Sequence, residues 1–268
     1  MSPYLLPVGL VIGLSLGALG GGGSILTVPA LVYVFGQDPQ LATTSSLVIV
    51  GVTSLVAAVP HARAGNVRLG QGLAFGALGV VGSFAGAAAA TTVPPQVLLR
   101  AFAALMSFVA VLMLRRTLGP GAVGEAPARP SEPMISLDPF FCACPRVAKV
   151  IVTATLVGML TGFFGVGGGF VLVPALVLAM SFSMPVAVGT SLVVIAVNSA
   201  TALVARSDAG VQLDWMLISG FTVAAVVGSL LGSRLAARVG GRTLSLAFVV
   251  LLVAVAGYTA IRSVPQLF

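Results

Sequence analysis

Long apolar runs alternate with short polar breaks along the whole chain. They fall approximately at 4–35, 41–59, 70–92 and 97–114, and then, past a polar stretch from Arg115 to Arg146, at 147–180, 186–205, 211–236 and 243–261. A helix rises about 1.5 Å per residue and needs about 20 apolar residues to cross a bilayer. Six of the eight runs fit one crossing each. The first and fifth are too long for one crossing and too short for two. Both are interrupted near the middle, by Gly20, Gly21, Gly22 and Gly23 in one and by Gly165, Gly167, Gly168 and Gly169 in the other. That pattern predicts two half-helices meeting at a glycine break, a re-entrant hairpin.

Composition narrows the class. Of the 268 residues, 58% are hydrophobic and 7% charged, with a mean hydropathy of +1.15. A soluble domain carries about 25% charged residues, so thirteen basic and six acidic side chains could not cover a soluble protein of this size. These figures exclude a secreted disulfide scaffold, a disordered chain and an ordinary soluble enzyme, and leave an all-α polytopic membrane protein. The net charge of +7 does not indicate nucleic acid, because the arginines stand singly or in pairs at the ends of apolar runs, as the positive-inside rule produces. Cys142 and Cys144 are one residue apart, and His61 is the only histidine. A zinc site therefore lacks ligands, and no cofactor or metal is expected. The first apolar run has no basic leader, so no cleavable signal is expected.

The chain repeats itself. With an offset of 145, residues 13–32 and 158–177 agree at 10 of 20 positions, ending in Val28-Pro29-Ala30-Leu31-Val32 and Val173-Pro174-Ala175-Leu176-Val177. With one further residue inserted, the match continues through Thr44/Thr190, Ser45/Ser191, Gly82/Gly228, Gly86/Gly232 and Phe102/Phe248. The expected organisation is a first membrane repeat at 1–116, a cytoplasmic linker at 117–146 rich in proline, and a second membrane repeat at 147–268.

Charge suggests how the halves are oriented. Arg63 and Arg68 follow the second run, whereas Arg206, Asp208 and Asp214 follow its counterpart. Only Arg100 follows the third run, whereas Arg234, Arg238 and Arg242 follow its counterpart. Antisymmetric charge is what inverted repeats produce, since each half must place its own basic loops in the cytoplasm. Inversion needs an odd number of crossings per half. The fold class expected is therefore two inverted repeats, each a glycine-broken re-entrant helix pair plus three spanning helices, with both termini outside.

The candidate chemistry lies at the breaks. Irregular backbone at membrane depth is tolerated where it lines a cavity, and the start of a half-helix offers free N–H groups and partial positive charge to an anion. Ser24 is a candidate N-cap there, with Gly169 in the equivalent place. Thr44, Ser45, Thr190 and Ser191 open the next helix of each half and are the better hydroxyl candidates for a ligand. Thr53, Asn198, Ser199 and Thr201 follow deeper in. Asn198 is either a ligand contact or a helix–helix bond. No Asp, Glu or Lys lies in the interior of an apolar run, so a carboxylate proton relay has no evident residue. His61 reads as an interfacial histidine, with a gate or proton acceptor as the alternative. A nucleophile with its base is absent, so an enzyme is not expected.

The doubled pattern Gly-x-x-x-Gly-x-x-Gly-x-Gly-Gly followed by Val-Pro-Ala-Leu occupies Gly13–Leu31 and Gly158–Leu176. The Thr/Ser-rich openings at Ala42–Ser46 and Ala187–Ser191 come next. Together they resemble the TauE/SafE sulfite exporter family across essentially the whole chain. Val166 opposite Gly21 and Gly169 opposite Ser24 are departures between the two halves. The resemblance implies a transporter of sulfur-containing or related organic anions (sulfite, sulfoacetate, other sulfonates) in a prokaryotic cytoplasmic (inner) membrane. On this reading the chain is a secondary transporter working by alternating access, and export suits the weak binding expected of a pocket with no buried cation. The candidate binding residues are Gly20, Gly22, Gly23, Ser24, Thr44, Ser45, Gly165, Gly167, Gly168, Gly169, Thr190, Ser191 and Asn198. A channel-like anion uniporter and a non-transporting scaffold subunit are the alternatives. The partners expected are a small anion and the lipid bilayer, without nucleic acid. The small-residue faces suit a homodimer and an internal bundle equally.

Overall fold

A computed structural model of the chain describes residues 4–90, 93, 95–118, 144–164, 169–204 and 213–263. The first half contains α1 (Leu5–Leu19), a 3-10 turn at Gly20–Gly23, α2 (Ser24–Tyr33), α3 (Pro39–Arg63), α4 (Leu69–Ala90) and α5 (Pro95–Leu118). The second contains α6 (Cys144–Phe164), α7 (Gly169–Leu178), α8 (Met184–Val204), α9 (Trp215–Arg238) and α10 (Gly241–Ser263). No strand occurs among the described residues. In lipid a helix satisfies its own backbone hydrogen bonds, and these apolar sequences take that course. Among the described residues, six helical stretches are long and apolar enough to cross a bilayer: Leu5–Tyr33, Gln40–Arg63, Leu69–Gly86, Ala101–Leu118, Met184–Val204 and Trp215–Arg238. Leu55, Val81, Phe84, Phe108, Val223 and Val250 point outward, an exposure that hydrocarbon tolerates and water does not.

Local chemistry sets the helix ends. Asp38 caps α3 by accepting from the Gln40 N–H at 2.9 Å, with Pro39 at the first position. Asp214 caps α9 by accepting from Met216 and Leu217 at 3.1 Å. The first apolar run breaks at Gly20, whose φ of +65° and ψ of −121° suit glycine and no residue bearing a Cβ. Ser24 is not the N-cap expected from the sequence. The chain is already wound from Gly21 onward, and the Ser24 hydroxyl donates back to the Gly21 carbonyl at 2.7 Å.

The glycine turn reverses the chain. Gly23 packs on the backbone of Leu16. Gly9, early in α1, lies against the Phe221 carbonyl, and the ring of Phe35, just past α2, meets the Phe221 ring edge-on at 5.8 Å. In one straight helix Gly9 and Phe35 would stand about 39 Å apart, so α1 and α2 form a hairpin.

Close glycine packing then joins the halves. A Cβ on Gly13 would fall on the Ala225 carbonyl, and one on Gly17 on the Ser229 carbonyl, so α1 and α9 run parallel with backbones in contact. Between α4 and α6 the equivalent residues do the same: Gly158 meets Gly79, and Gly162 meets Ser83. Small residues at such seams let helices approach closely where lipid supplies no hydrophobic drive. The equivalent helices α3 and α8 also pack on each other, as do α5 and α10. The α3–α8 pair is antiparallel, with Gly51 beside Ser199 at one level and His61 and Asn66 beside Gly189 at another.

Helix direction sorts the ends. Leu5, Leu31 and Ala42 share one apolar cluster, and His61 reaches Gly17, so α1, α3 and α9 all run the same way. One end of the bundle carries Tyr4, Tyr33, Asp38, Asp214 and Trp215. The other carries Arg63 and Arg238, with His61 just inside.

Candidate functional site

The two glycine-led helices meet start to start. A Cβ on Gly169 would be 2.6 Å from Ser24 Oγ and 2.7 Å from Gly21 Cα, and one on Gly21 would fall on the Gly169 carbonyl. From that junction the short segment 34–38 carries α2 to the start of α3, and 179–183 carries α7 to the start of α8. Since α3 and α8 are antiparallel, α2 and α7 run apart, each 10 residues long and so about 15 Å. The N-terminal ends of the two helices therefore face a common region where both dipoles favour negative charge.

Around this junction the sequence candidates separate. Gly20 is at the turn itself, where a Cβ would be 2.6 Å from Ser191 Oγ and 3.2 Å from the Val188 carbonyl. Ser191 is fully buried and donates to that carbonyl at 2.8 Å. Gly20, Ser24, Gly169 and Ser191 thus form one neighbourhood. Gly22 faces Leu251 and Phe248 of α10, and Gly23 packs on α1, so these two serve packing. Thr44 donates to its own helix at the Gln40 carbonyl, 3.1 Å away. Thr190 accepts from the Arg68 N–H at 3.2 Å, fixing the start of α4. Ser45 is fully buried with an unpartnered hydroxyl, and the Asn198 Oδ1 is buried and unpartnered as well. Gly165, Gly167 and Gly168 lie outside the described residues.

Two residues acquire positions the sequence does not signal. His61 is 5% exposed, and its Nε2 donates to the Gly17 carbonyl at 2.9 Å, pinning the end of α3 to the end of α1. Beside Arg63 it reads as a polar helix end, and only its partner 44 residues away shows it to be internal. Arg116, at the end of α5, donates from Nη1 to the carbonyl of Val177 in the last turn of α7, a favourable place for a cation.

The family model described as sulfite exporter TauE/SafE matches residues 5–259. The chain belongs to the TauE/SafE family. A curated Xylella fastidiosa relative, named "Probable membrane transporter protein", is 36% identical over 262 residues, covering 95% of this chain and 93% of its own. "Probable membrane transporter protein YdhB" of Bacillus subtilis is 25% identical over 224 residues, covering 84% and 86%. A Methanocaldococcus jannaschii relative of similar name is 26% identical over 216 residues, covering 78% and 74%. No solved structure matches the chain. This TauE/SafE chain is thus a multi-pass membrane transporter, and the relatives' names specify no substrate.

Proposed function

We propose that this TauE/SafE chain is a secondary transporter that exports a small sulfur-containing anion, sulfite or a sulfonate such as sulfoacetate, across a prokaryotic cytoplasmic membrane. The observation that carries the reading is the start-to-start meeting of α2 and α7 at Gly21, Ser24 and Gly169. End to end, two 10-residue helices measure about 30 Å, the thickness of the hydrocarbon, which sets their junction near the midplane. Both helix starts offer partial positive charge there, and Ser24 and Ser191 lie at the same junction. The residues at the junction, Gly20, Gly21, Ser24, Gly169 and Ser191, carry no charge, so binding rests on hydrogen bonds and helix ends. Such a site holds an oxyanion weakly enough to release it.

Two inverted repeats, 1–116 and 147–268, joined by a cytoplasmic linker at 117–146, rock against each other around this junction. Support for inversion comes from the antiparallel run of the equivalent helices α3 and α8. The gathering of Arg63 and Arg238 at one end, with aromatic residues and Asp38 and Asp214 at the other, supports a cytoplasmic basic face.

The test is flux of sulfite and of sulfoacetate in proteoliposomes, with counterflow from preloaded vesicles. Saturable flux accelerated by substrate on the far side is expected. Gly169→Ala, whose methyl would strike Ser24 and Gly21, should lower flux per folded protein well beyond any loss of folded yield. No flux of either anion, with or without a pH gradient, overturns the reading, and linear flux without counterflow replaces the carrier by a channel.

A further inference from the structure

The turn between α3 and α4, residues 61–68, lies against α8 on one side of the glycine-break junction. Met184 and Pro185 stand beside Gly241, just past Arg238, so α8 starts at the basic end of the bundle. Gly189 and Thr190 therefore precede Ser191 on that side, within about 3 Å along the axis. The turn covers both. A Cβ on Gly189 would fall on the Asn66 carbonyl and lie 3.1 Å from the His61 Cβ. The Arg68 N–H donates to the Thr190 hydroxyl at 3.2 Å. His61 also donates to the Gly17 carbonyl at 2.9 Å, three residues before the break at Gly20.

The same turn is built to move as a unit. Pro60, inside α3, has no N–H for the Val56 carbonyl, which weakens the helix just before His61. Gly65 has a φ of +74° with nothing within 4 Å of its added Cβ. Between them the Asn66 N–H donates to the His61 carbonyl at 2.9 Å, so the piece keeps its shape. Of residues 61–68 only His61 is buried, and an element with so little buried surface opens at low cost. The tie at Thr190 is also particular to this half of the pair. Thr44, its equivalent, spends its hydroxyl on the Gln40 carbonyl of its own helix at 3.1 Å.

We propose that residues 61–68 are the gate at the basic end, closed in this structure and hinged at Pro60 and Gly65. Two hydrogen bonds latch it, His61 to Gly17 and Arg68 to Thr190. His61 and Thr190 are positioning residues: they touch no substrate and set how often the path to Ser191 opens. What passes the gate rests on the transport reading above. Its geometry does not. Because Gly17 is one turn before Gly20, release of His61 also frees the turn of α1 that leads into the break, which links the gate to the junction.

The gate is read by labelling, without need of transport. In a Cys142→Ser, Cys144→Ser background, Ser191→Cys is treated with sulfonatoethyl methanethiosulfonate, an impermeant thiol reagent that itself carries a sulfonate. Intact cells and inverted vesicles present the two sides. Ala64→Cys, exposed in the turn itself, marks the side on which the basic end lies. From that side Ser191→Cys is expected to react slowly with Thr190 intact. With Thr190→Val, which removes one hydrogen bond of the latch, it should react about fivefold faster. Thr190→Ser, which keeps the hydroxyl, should return the slow rate. Ser229→Cys, buried in the seam between α1 and α9, should keep its rate throughout. An unchanged Ser191→Cys rate with Thr190→Val overturns the gate. So does acceleration from the far side only, and so does a parallel rise at Ser229→Cys, which reports general loosening. Labelling as expected in a protein that carries neither sulfite nor sulfoacetate overturns the transport reading and leaves the gate standing.

Discussion

The Nε2 of His61 lies 2.9 Å from the Gly17 carbonyl oxygen, in a site where the ring is 5% exposed. A carbonyl can only accept, so this nitrogen carries the proton. Gly17 also packs its backbone on Ser229, so one residue receives both α3 and α9. His61→Leu leaves a buried acceptor unpaired and should cost about 1–3 kcal/mol, seen as a lower melting temperature in detergent. His61→Gln, which restores an N–H donor, should recover part of that loss. A His61→Leu protein as stable as the parent would show that the bond contributes nothing.

The glycine seams make a symmetric prediction. Gly17 against Ser229 and Gly162 against Ser83 are equivalent contacts between backbones. Alanine at either position must push the helices apart, a cost of about 1–3 kcal/mol. Folded yield should fall to a similar extent for Gly17→Ala and Gly162→Ala. Gly36→Ala, at a position with nothing within 4 Å but a φ of +67°, should cost less than either and do so through backbone strain alone.

Arg116 should act locally. Its guanidinium holds the Val177 carbonyl near the end of α7, a cap worth about 1 kcal/mol. Arg116→Leu should speed hydrogen exchange in the last turn of α7 about fivefold, with little change in α1. If α7 junction geometry governs transport, flux should drop without loss of folded protein.

Sidedness is testable with cysteine labelling in a Cys142→Ser, Cys144→Ser background. Tyr33 and Ala64 are exposed at opposite ends of the bundle. Tyr33→Cys should react with an impermeant maleimide added outside cells, and Ala64→Cys only in inverted vesicles. Reaction of both from the same side would show that α3 does not cross the bilayer.

Much of the architecture was legible because it depends on properties carried by single residues or short spacings. Apolar runs near membrane length, the glycine interruptions and the matched sequences around Pro29 and Pro174 mark the helices and the repeat before any folding is considered. The start of α7 at Gly169 could be read the same way. The Ser24 cap could not, because Gly20–Gly23 wind into a 3-10 turn ahead of Ser24, which glycines by themselves do not signal. Nor could the different roles within the glycine runs, since Gly22 faces α10 and Gly20 faces Ser191.

The sequence by itself determined that this is a helical membrane protein, where its helices break, and that its halves correspond, since composition, spacing and self-similarity are properties of the chain. Tertiary structure alone decided which surfaces meet: α1 backbone to backbone on α9 of the other half, His61 on Gly17, Gly21 on Gly169, and which hydroxyls are left without partners. The reason is physical. In lipid every helix is similarly apolar, so partner choice rests on close backbone fit and on a few polar atoms, and both depend on helix phase and approach in three dimensions.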